Sequence, residues 1–241
     1  MVCIEKVRKE KVLVVGAGAL GNEVCKNLLL SGYRKISIVD MDKIVKSNLN
    51  RCIFFNDRDA EEERYKAEVI AEKMKKLERD AEISFFIERI EELPENFIPS
   101  HNLVLGCVDN VATRLHVNAH CYHHRIPYID GATQGQIGKV QVVVPPITSC
   151  LECGMNATHA KILYRRQSCT GKDITYFEPK LAADVNTTSI IAAFQVQEAL
   201  KITHGMPNYV KNIFYYDGSK NFFSVFELPI NPKCPNHTCQ R

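Results

Sequence analysis

Four cysteines of this chain come as two close pairs, Cys150 and Cys153 in "CLEC" and Cys234 and Cys239 in "CPNHTC". Two such pairs separated by a long insertion are a common way to assemble a tetrahedral site for structural Zn²⁺, and soft thiolates select zinc in that redox-quiet role. His237, between the tail cysteines, offers a replacement donor, although four thiols already complete a set. A fifth thiol, Cys169 in "RRQSCTG", stands apart from both pairs. Arg165, Arg166 and Lys172 flank it, and nearby cations lower a thiol pKa and favour the nucleophilic thiolate. The plain alternative for Cys169 is an incidental loop thiol.

A second set of residues has the types and order of a phosphate site. "GAGALG" (16–21) fits G-x-G-x-x-G after an apolar run and before a helical one. Gly16 permits a tight turn, Gly18 lets backbone approach an anion, Gly21 completes the pattern, and the following helix N-terminus adds partial positive charge. A tight packing turn between strand and helix would use the same glycines. Asp40, at the end of the next apolar run, can accept hydrogen bonds from ribose hydroxyls. This much would also suit a dinucleotide-dependent oxidoreductase.

The residues beyond Asp40 do not fit that chemistry. "DMDKIVKSNLNR" puts Asp40, Asp42, Asn48 and Arg51 in one loop, and Lys66 opens the next helical stretch. Two cations exceed what a pyrophosphate on a helix N-terminus needs, and suit a triphosphate under attack at phosphorus. Asp109 in "CVDNVATR" supplies a carboxylate for Mg²⁺, directly or through water. Singly, Arg51 and Lys66 read equally well as surface cations and Asp109 as a helix N-cap; their convergence is the argument.

These residues need strands and helices to hold them. "KVLVVG" (11–16), "KISIVD" (35–40), "NLVLGC" (102–107) and "IPYIDG" (126–131) are short apolar runs expected of buried parallel strands. Between them, 19–32, the stretch from Lys66 and roughly 110–122 carry helical apolar spacing, with Gly32 as a C-terminal stop. "GKVQVVVPP" suits a strand leaving the parallel core, 154–185 reads as a weakly periodic crossover, and 186–202 as a helix with Asn186 and Thr187 as candidate N-caps. "NIFYYDG" and "FFSVFELP" form a hairpin pattern around "GSKN". The histidine-rich "NAHCYHHR" falls within the helix after Asp109 and is assigned a surface or packing role, for want of an obvious fourth ligand. Cys25, Cys107 and Cys121 read as core fillers.

Composition bounds the reading. The chain has 241 residues, 45% of them hydrophobic and 24% charged, with a net charge of +3 that makes no case for nucleic acid. No apolar run approaches the roughly 20 residues of a membrane span, and "MVCIEKVRKEK" lacks a signal-peptide core, so no membrane partner is expected. Ten cysteines without an export signal point to metal or thiol chemistry in a reducing cytoplasm.

The ordered set "VLVVGAGALGNEVCKNLLLSG", "IVDMDKIVKSNLNR", "YKAEVIAE", "CVDNVATR", "IDGATQGQIGKVQVVVPP", "CLEC" and "NTTSIIAAFQVQEALK" resembles the ubiquitin-activating enzyme superfamily, which includes the bacterial adenylating enzymes of thiamine and molybdopterin biosynthesis. The resemblance implies a doubly wound, Rossmann-like α/β domain with a mainly parallel sheet, a C-terminal β-hairpin and a zinc knuckle. It implies one adenylation domain over 1–241: a nucleotide half (1–149), a zinc-pair and crossover segment (150–185), and a helix, hairpin and zinc-binding tail (186–241). Gly16, Gly18 and Gly21 would shape the phosphate turn, Asp40 would hold the ATP ribose, Asn48, Arg51 and Lys66 would face the phosphates, and Asp109 would serve Mg²⁺. It further implies adenylation of the C-terminal glycine of a ubiquitin-like protein ending in Gly-Gly. A thioester on Cys169 would follow, then transfer to a conjugating enzyme, in a homodimer or heterodimer. Relatives that pass the adenylate to a sulfur donor, or that serve as non-catalytic partner subunits, are the rival implications. Cys52 stands where the family usually has Gln, the Arg51–Lys66 spacing is two residues longer than expected, and Arg8 is a poor candidate for the arginine that many relatives lend to a partner's site.

Overall fold

Val12, Leu13, Val14 and Val15 are all buried, which places β1 (Lys11–Val15) at the centre of a sheet covered on both faces. The computed structural model describes residues 3–155, 183–207, 209–210 and 212–238, so Cys169 with its flanking cations, and Cys239, lie outside the described residues. The other strands are β2 (Lys35–Val39), β3 (Glu82–Phe86), β4 (Leu103–Gly106), β5 (Tyr128–Gln134), β6 (Ile137–Val143), β7 (Ile213–Asp217) and β8 (Phe222–Phe226). They form one sheet of eight in the order β3-β2-β1-β4-β5-β6-β7-β8. Pairings from β3 to β5 are parallel, with Val14 opposite both Ile38 and Leu105, and those from β5 to β8 are antiparallel.

Side chains of β1 alternate between two cores. Val12 and Val14 pack with α2 (Ala19–Leu30), α4 (Lys66–Leu77) and α6 (Val185–Thr203) through Val24, Leu28, Ile70, Met74 and Ile191. Leu13 and Val15 pack on the other face with α5 (Val111–His123) through Val117, Cys121 and Tyr122. Each such aliphatic side chain contributes roughly 1.5–3 kcal/mol on burial, so the two cores clamp the sheet from both sides and fix where its strands end. Cys25 and Cys121 are fully buried fillers, as expected.

The helix ends follow local chemistry. Tyr33 N–H donates to Leu28 O and Gly32 N–H to Leu29 O, each at 3.1 Å, a Schellman close that Gly32 permits with φ +100°. α6 starts earlier than the sequence indicates: Asp184, not Asn186 or Thr187, is its N-cap, accepting from Thr187 N–H at 2.8 Å. β3 carries no clear pattern in the sequence because only Ile83 of its five side chains is buried. It is an edge strand, paired to β2 alone. A short helix α1 (Ile4–Lys9) precedes β1, and its Arg8 lies 3.4 Å from Asp80 in an ion pair. Short helices α3 (Asp57–Glu61) and α7 (Pro235–Thr238) complete the set. Among the described residues no helix is long and apolar enough to cross a membrane.

Candidate functional site

The glycine turn leaves the carboxyl end of β1 and enters α2. A side chain at Gly16, where φ is +100°, would put its Cβ 2.7 Å from Cys107 O, and one at Gly21 would put it 2.0 Å from Gly16 O. Both positions therefore exclude every residue but glycine, as turn and packing contacts. Gly18 differs: a Cβ there would meet nothing within 4 Å. Bare backbone facing open space at a helix N-terminus is what close approach of an anion requires.

Asp40 follows β2 and ties the turn to the next loop. Its Oδ2 accepts from Ala17 N–H at 2.6 Å and its Oδ1 from Asp42 N–H at 2.8 Å. Burial raises its pKa above the usual carboxylate range, against the opposing pull of Lys66 and the two N–H donors. Lys66, the first residue of α4, reaches back so that its Nζ lies 2.7 Å from Asp42 Oδ2, with only 12% of the side chain exposed. Arg51 is half-buried and donates to Ser47 O and, at 3.0 Å, to Asn50 Oδ1. Asn48 Oδ1 accepts from Val45 N–H at 3.1 Å. Cys52 is buried beside these cations, yet burial dominates and pushes its thiol up to about 11.

Asp109 is exposed just past the carboxyl end of β4. The capping role open to it in the sequence belongs to Asn110, whose Oδ1 accepts from Thr113 N–H at 2.8 Å. Gly16, Asp40 and Asp109 thus stand at the carboxyl ends of β1, β2 and β4. The strand order reverses between β1 and β4, where open α/β sheets bind their ligands. A cavity of about 530 Å³, lined by Lys11, Lys35 and His101 among others, includes the amino-terminal residues of β1 and β2 and holds none of these residues.

Three positioning residues escaped the sequence reading. Asn22 is fully buried; its Nδ2 donates to Ala17 O and Gly18 O, while its Oδ1 accepts from Phe54 N–H at 3.0 Å. It clamps the glycine turn to the loop that carries Arg51. Arg114 donates to Val108 O at 3.0 Å and Gly131 O at 2.9 Å, with Asp130 3.6 Å away. It anchors the residue next to Asp109. Gln195 of α6 joins β4 and β5 by donating to Gly106 O and Ile129 O, each at 3.0 Å. Only spacing from the known motifs hints at Asn22; nothing in the sequence pairs Arg114 or Gln195 with their carbonyls.

The thiol cluster lies under the other face of the sheet. Cys150, Cys153, Cys234 and His237 bring four ligand atoms within 4.8 Å of one another. Cys150 Sγ is 3.8 Å from Cys153 Sγ and 3.5 Å from Cys234 Sγ, and Cys153 Sγ is 3.1 Å from His237 Nε2. Zinc–sulfur bonds of about 2.3 Å in a tetrahedron imply ligand separations of about 3.8 Å, so the donor set fits Zn²⁺. The sequence expects Cys239 in the fourth place; among the described residues that place is held by His237. Tyr122 OH lies 2.8 Å from His237 Nδ1 and fixes the ring with Nε2 facing the thiols. Asn236 Nδ2 donates to Cys150 Sγ at 3.5 Å and to Glu152 Oε1 at 2.7 Å.

The fold has counterparts among known proteins. The ThiF family matches residues 3–236. The chain belongs to that family. Two curated relatives of this ThiF-family chain are activating-enzyme subunits. The NEDD8-activating enzyme E1 catalytic subunit of Schizosaccharomyces pombe is 35% identical over 159 residues, covering 64% of this chain and 35% of the relative. The SUMO-activating enzyme subunit uba-2 of Caenorhabditis elegans is 36% identical over 151 residues, covering 62% and 26%. The chain therefore spans about a third or less of the length of these relatives. Among solved structures, Escherichia coli MccB with succinimide superposes with a TM-score of 0.80 at 20% identity, over 99% of this chain and 68% of MccB. MccB with ATP gives 0.76 at 20% identity, over 98% and 69%. At such identity the likeness is one of fold.

Proposed function

We propose that this ThiF-family chain uses ATP to activate the C-terminal glycine carboxylate of a ubiquitin-like protein. One observation carries the reading: a bare glycine turn, the Lys66–Asp42 pair and the Asp109 carboxylate all stand at the carboxyl ends of neighbouring parallel strands. Gly18 lets the phosphates approach the N-terminus of α2. Asp40 holds the ribose hydroxyls; its oxygens already accept one N–H each and keep a second lone pair free for them. Asn48, Arg51 and Lys66 bind phosphate oxygens, with Lys66 turning from Asp42 to the more highly charged ligand. Asp109 is an exposed hard-oxygen donor and fits Mg²⁺, which when bound neutralises phosphate charge.

In the first step a glycine carboxylate oxygen attacks the α-phosphorus, the bond to the bridging oxygen breaks, and pyrophosphate leaves with the electron pair. Cys169 then attacks the acyl carbon as thiolate, AMP departs, and the thioester passes to a conjugating enzyme. Zn²⁺ on Cys150, Cys153, Cys234 and His237 or Cys239 ties the tail to the nucleotide domain. The subunit names of both relatives favour a dimer, with a second copy or another chain. The compartment in this proposal is a reducing one, the cytoplasm, which keeps Cys169 as a thiol.

The test is a non-reducing gel of the chain mixed with ATP, Mg²⁺ and ubiquitin-like proteins ending in Gly-Gly, with ATP–pyrophosphate exchange followed in parallel. A thiol-sensitive adduct lost in Cys169→Ala is the expected result. Exchange without adduct moves the chain to sulfur-carrier adenylation, and no exchange makes it a non-catalytic partner subunit.

A further inference from the structure

Helix α5 carries a second set of donors, remote in chemistry from the thiol cluster. His116, His120 and His124 recur every four residues, the spacing that stacks side chains on one helix face. The rings lie side by side: centroids are 4.5 Å apart for His116 and His120, tilted by 42°, and 6.4 Å for the stacked His120 and His124, with His123 edge-on to His124 at 4.7 Å. His116 and His120 are half-buried and line a cavity of about 180 Å³ with Glu91, Leu93, Glu95 and Phe97. The sequence reading gives these histidines a surface or packing role, and a purely packing role would bury such rings against apolar neighbours. Here the rings face one another, and the same cavity that brings apolar Leu93 and Phe97 to them also brings two carboxylates, which packing alone does not need.

The two carboxylates are not equivalent. Glu91 accepts from Thr113 Oγ1 and lies 3.7 Å from Arg89 in an ion pair. Glu95 is exposed and, among the described residues, makes no hydrogen bond or ion pair. We propose that His116, His120 and Glu95 form a second transition-metal site, for Zn²⁺, Ni²⁺ or Cu²⁺, distinct from the thiol cluster. Imidazoles one helical turn apart chelate such ions with little rearrangement of backbone, and two imidazoles with one carboxylate leave positions for water. The three donors do not converge on one point as the thiols do, since among the described residues only the thiol cluster brings its ligand atoms within 4.8 Å of one another. A rotamer change of solvent-facing Glu95 closes the set, at the entropic cost of ordering one long side chain. The site is therefore weaker than the thiol cluster and fills after it. A bound ion would fasten the segment around Glu95 to α5, the helix that begins two residues after Asp109.

The probe is Co²⁺ added to chain whose thiol cluster is already loaded with Zn²⁺, followed by equilibrium dialysis and absorption. The expected result is one further equivalent per chain without a sulfur-to-cobalt charge-transfer band. Its affinity should fall at least tenfold in His120→Ala and in His116→Ala, and several-fold in Glu95→Gln. His123→Ala/His124→Ala should bind as the parent does, and circular dichroism of each variant should stay native. Absence of a further equivalent at micromolar Co²⁺ would overturn the proposal. So would an affinity unchanged in His120→Ala, or one lost in the His123/His124 variant.

Discussion

The phosphate turn and the thiol cluster sit under opposite faces of one sheet and are made in opposite ways. At the turn the functional groups are backbone atoms and loop side chains at successive strand ends, held by hydrogen bonds that Asp40 accepts and Asn22 donates. At the cluster the donors are side chains more than eighty residues apart, as the Cys150–Cys234 pair shows, and their positions depend on the sheet and α5 having formed. One site is open loop surface at the strand ends; the other is a buried staple between two distant segments. Substitutions at the first should therefore cost activity, and at the second stability.

The largest effect expected is on chemistry. Lys66→Ala and Arg51→Ala should each lower ATP–pyrophosphate exchange by about 100-fold or more, as loss of a group facing transition-state charge does. Unfolding free energy in Lys66→Ala should move by only about 1 kcal/mol, because its partner Asp42 is 57% exposed. An equal loss of stability and activity would break the contrast.

Metal removal should give the reverse pattern. Chelation, or Cys150→Ser, should cost several kcal/mol in thermal unfolding, less than the ~10–16 kcal/mol apparent for zinc-finger peptides, because the sheet folds around its own core. Exchange activity measured below the new melting temperature should persist. A chelator-competition titration sharpens the point: His237→Ala should weaken metal retention at least about tenfold if it is the fourth ligand, whereas Cys239→Ser should do so if the tail thiol is.

Asn22 tests how far the turn depends on the loop it is clamped to. Asn22→Ala leaves Ala17 O, Gly18 O and Phe54 N–H without their side-chain partner, and should cost about 2–4 kcal/mol in urea denaturation. The KM for ATP should rise with it.

The smallest effect is a pH slope. Burial raises the Asp40 pKa, so its native carboxyl holds a proton more tightly than the unfolded one. Its favourable contribution is full below about pH 4 and is lost as pH rises through the raised value. The difference in melting temperature between Asp40→Asn and the parent, measured without ATP, should therefore shift in favour of the variant with rising pH over that window. A flat difference would mean that the N–H bonds and Lys66 offset the burial of Asp40, and a slope of opposite sign that they outweigh it.

Much of this molecule is determined by local sequence. The parallel strands β1, β2, β4 and β5 are dense apolar runs, and the β1 turn needs glycine at Gly16 and Gly21 because other residues would strike Cys107 O and Gly16 O. The strand–glycine–helix grammar, the Cys150–Cys153 pair and the hairpin at the C-terminal end of the sheet depend on residues within a few positions of each other, so they are legible without a fold. Only the tertiary structure decided the rest. β3 exists because β2 offers it an edge, not because of its own pattern. Asn22, Arg114 and Gln195 matter through carbonyls and N–H groups brought near by packing, and a sequence records no such distances. The same holds for His237, which reaches the thiols only once Tyr122 of α5 turns its ring, and for His116 and His120, whose cavity is closed by residues from the segment before β4. Hydrogen bonds and ligand sets are short-range in space and indifferent to separation along the chain, which is why the fold had to choose among donors that the sequence left equal.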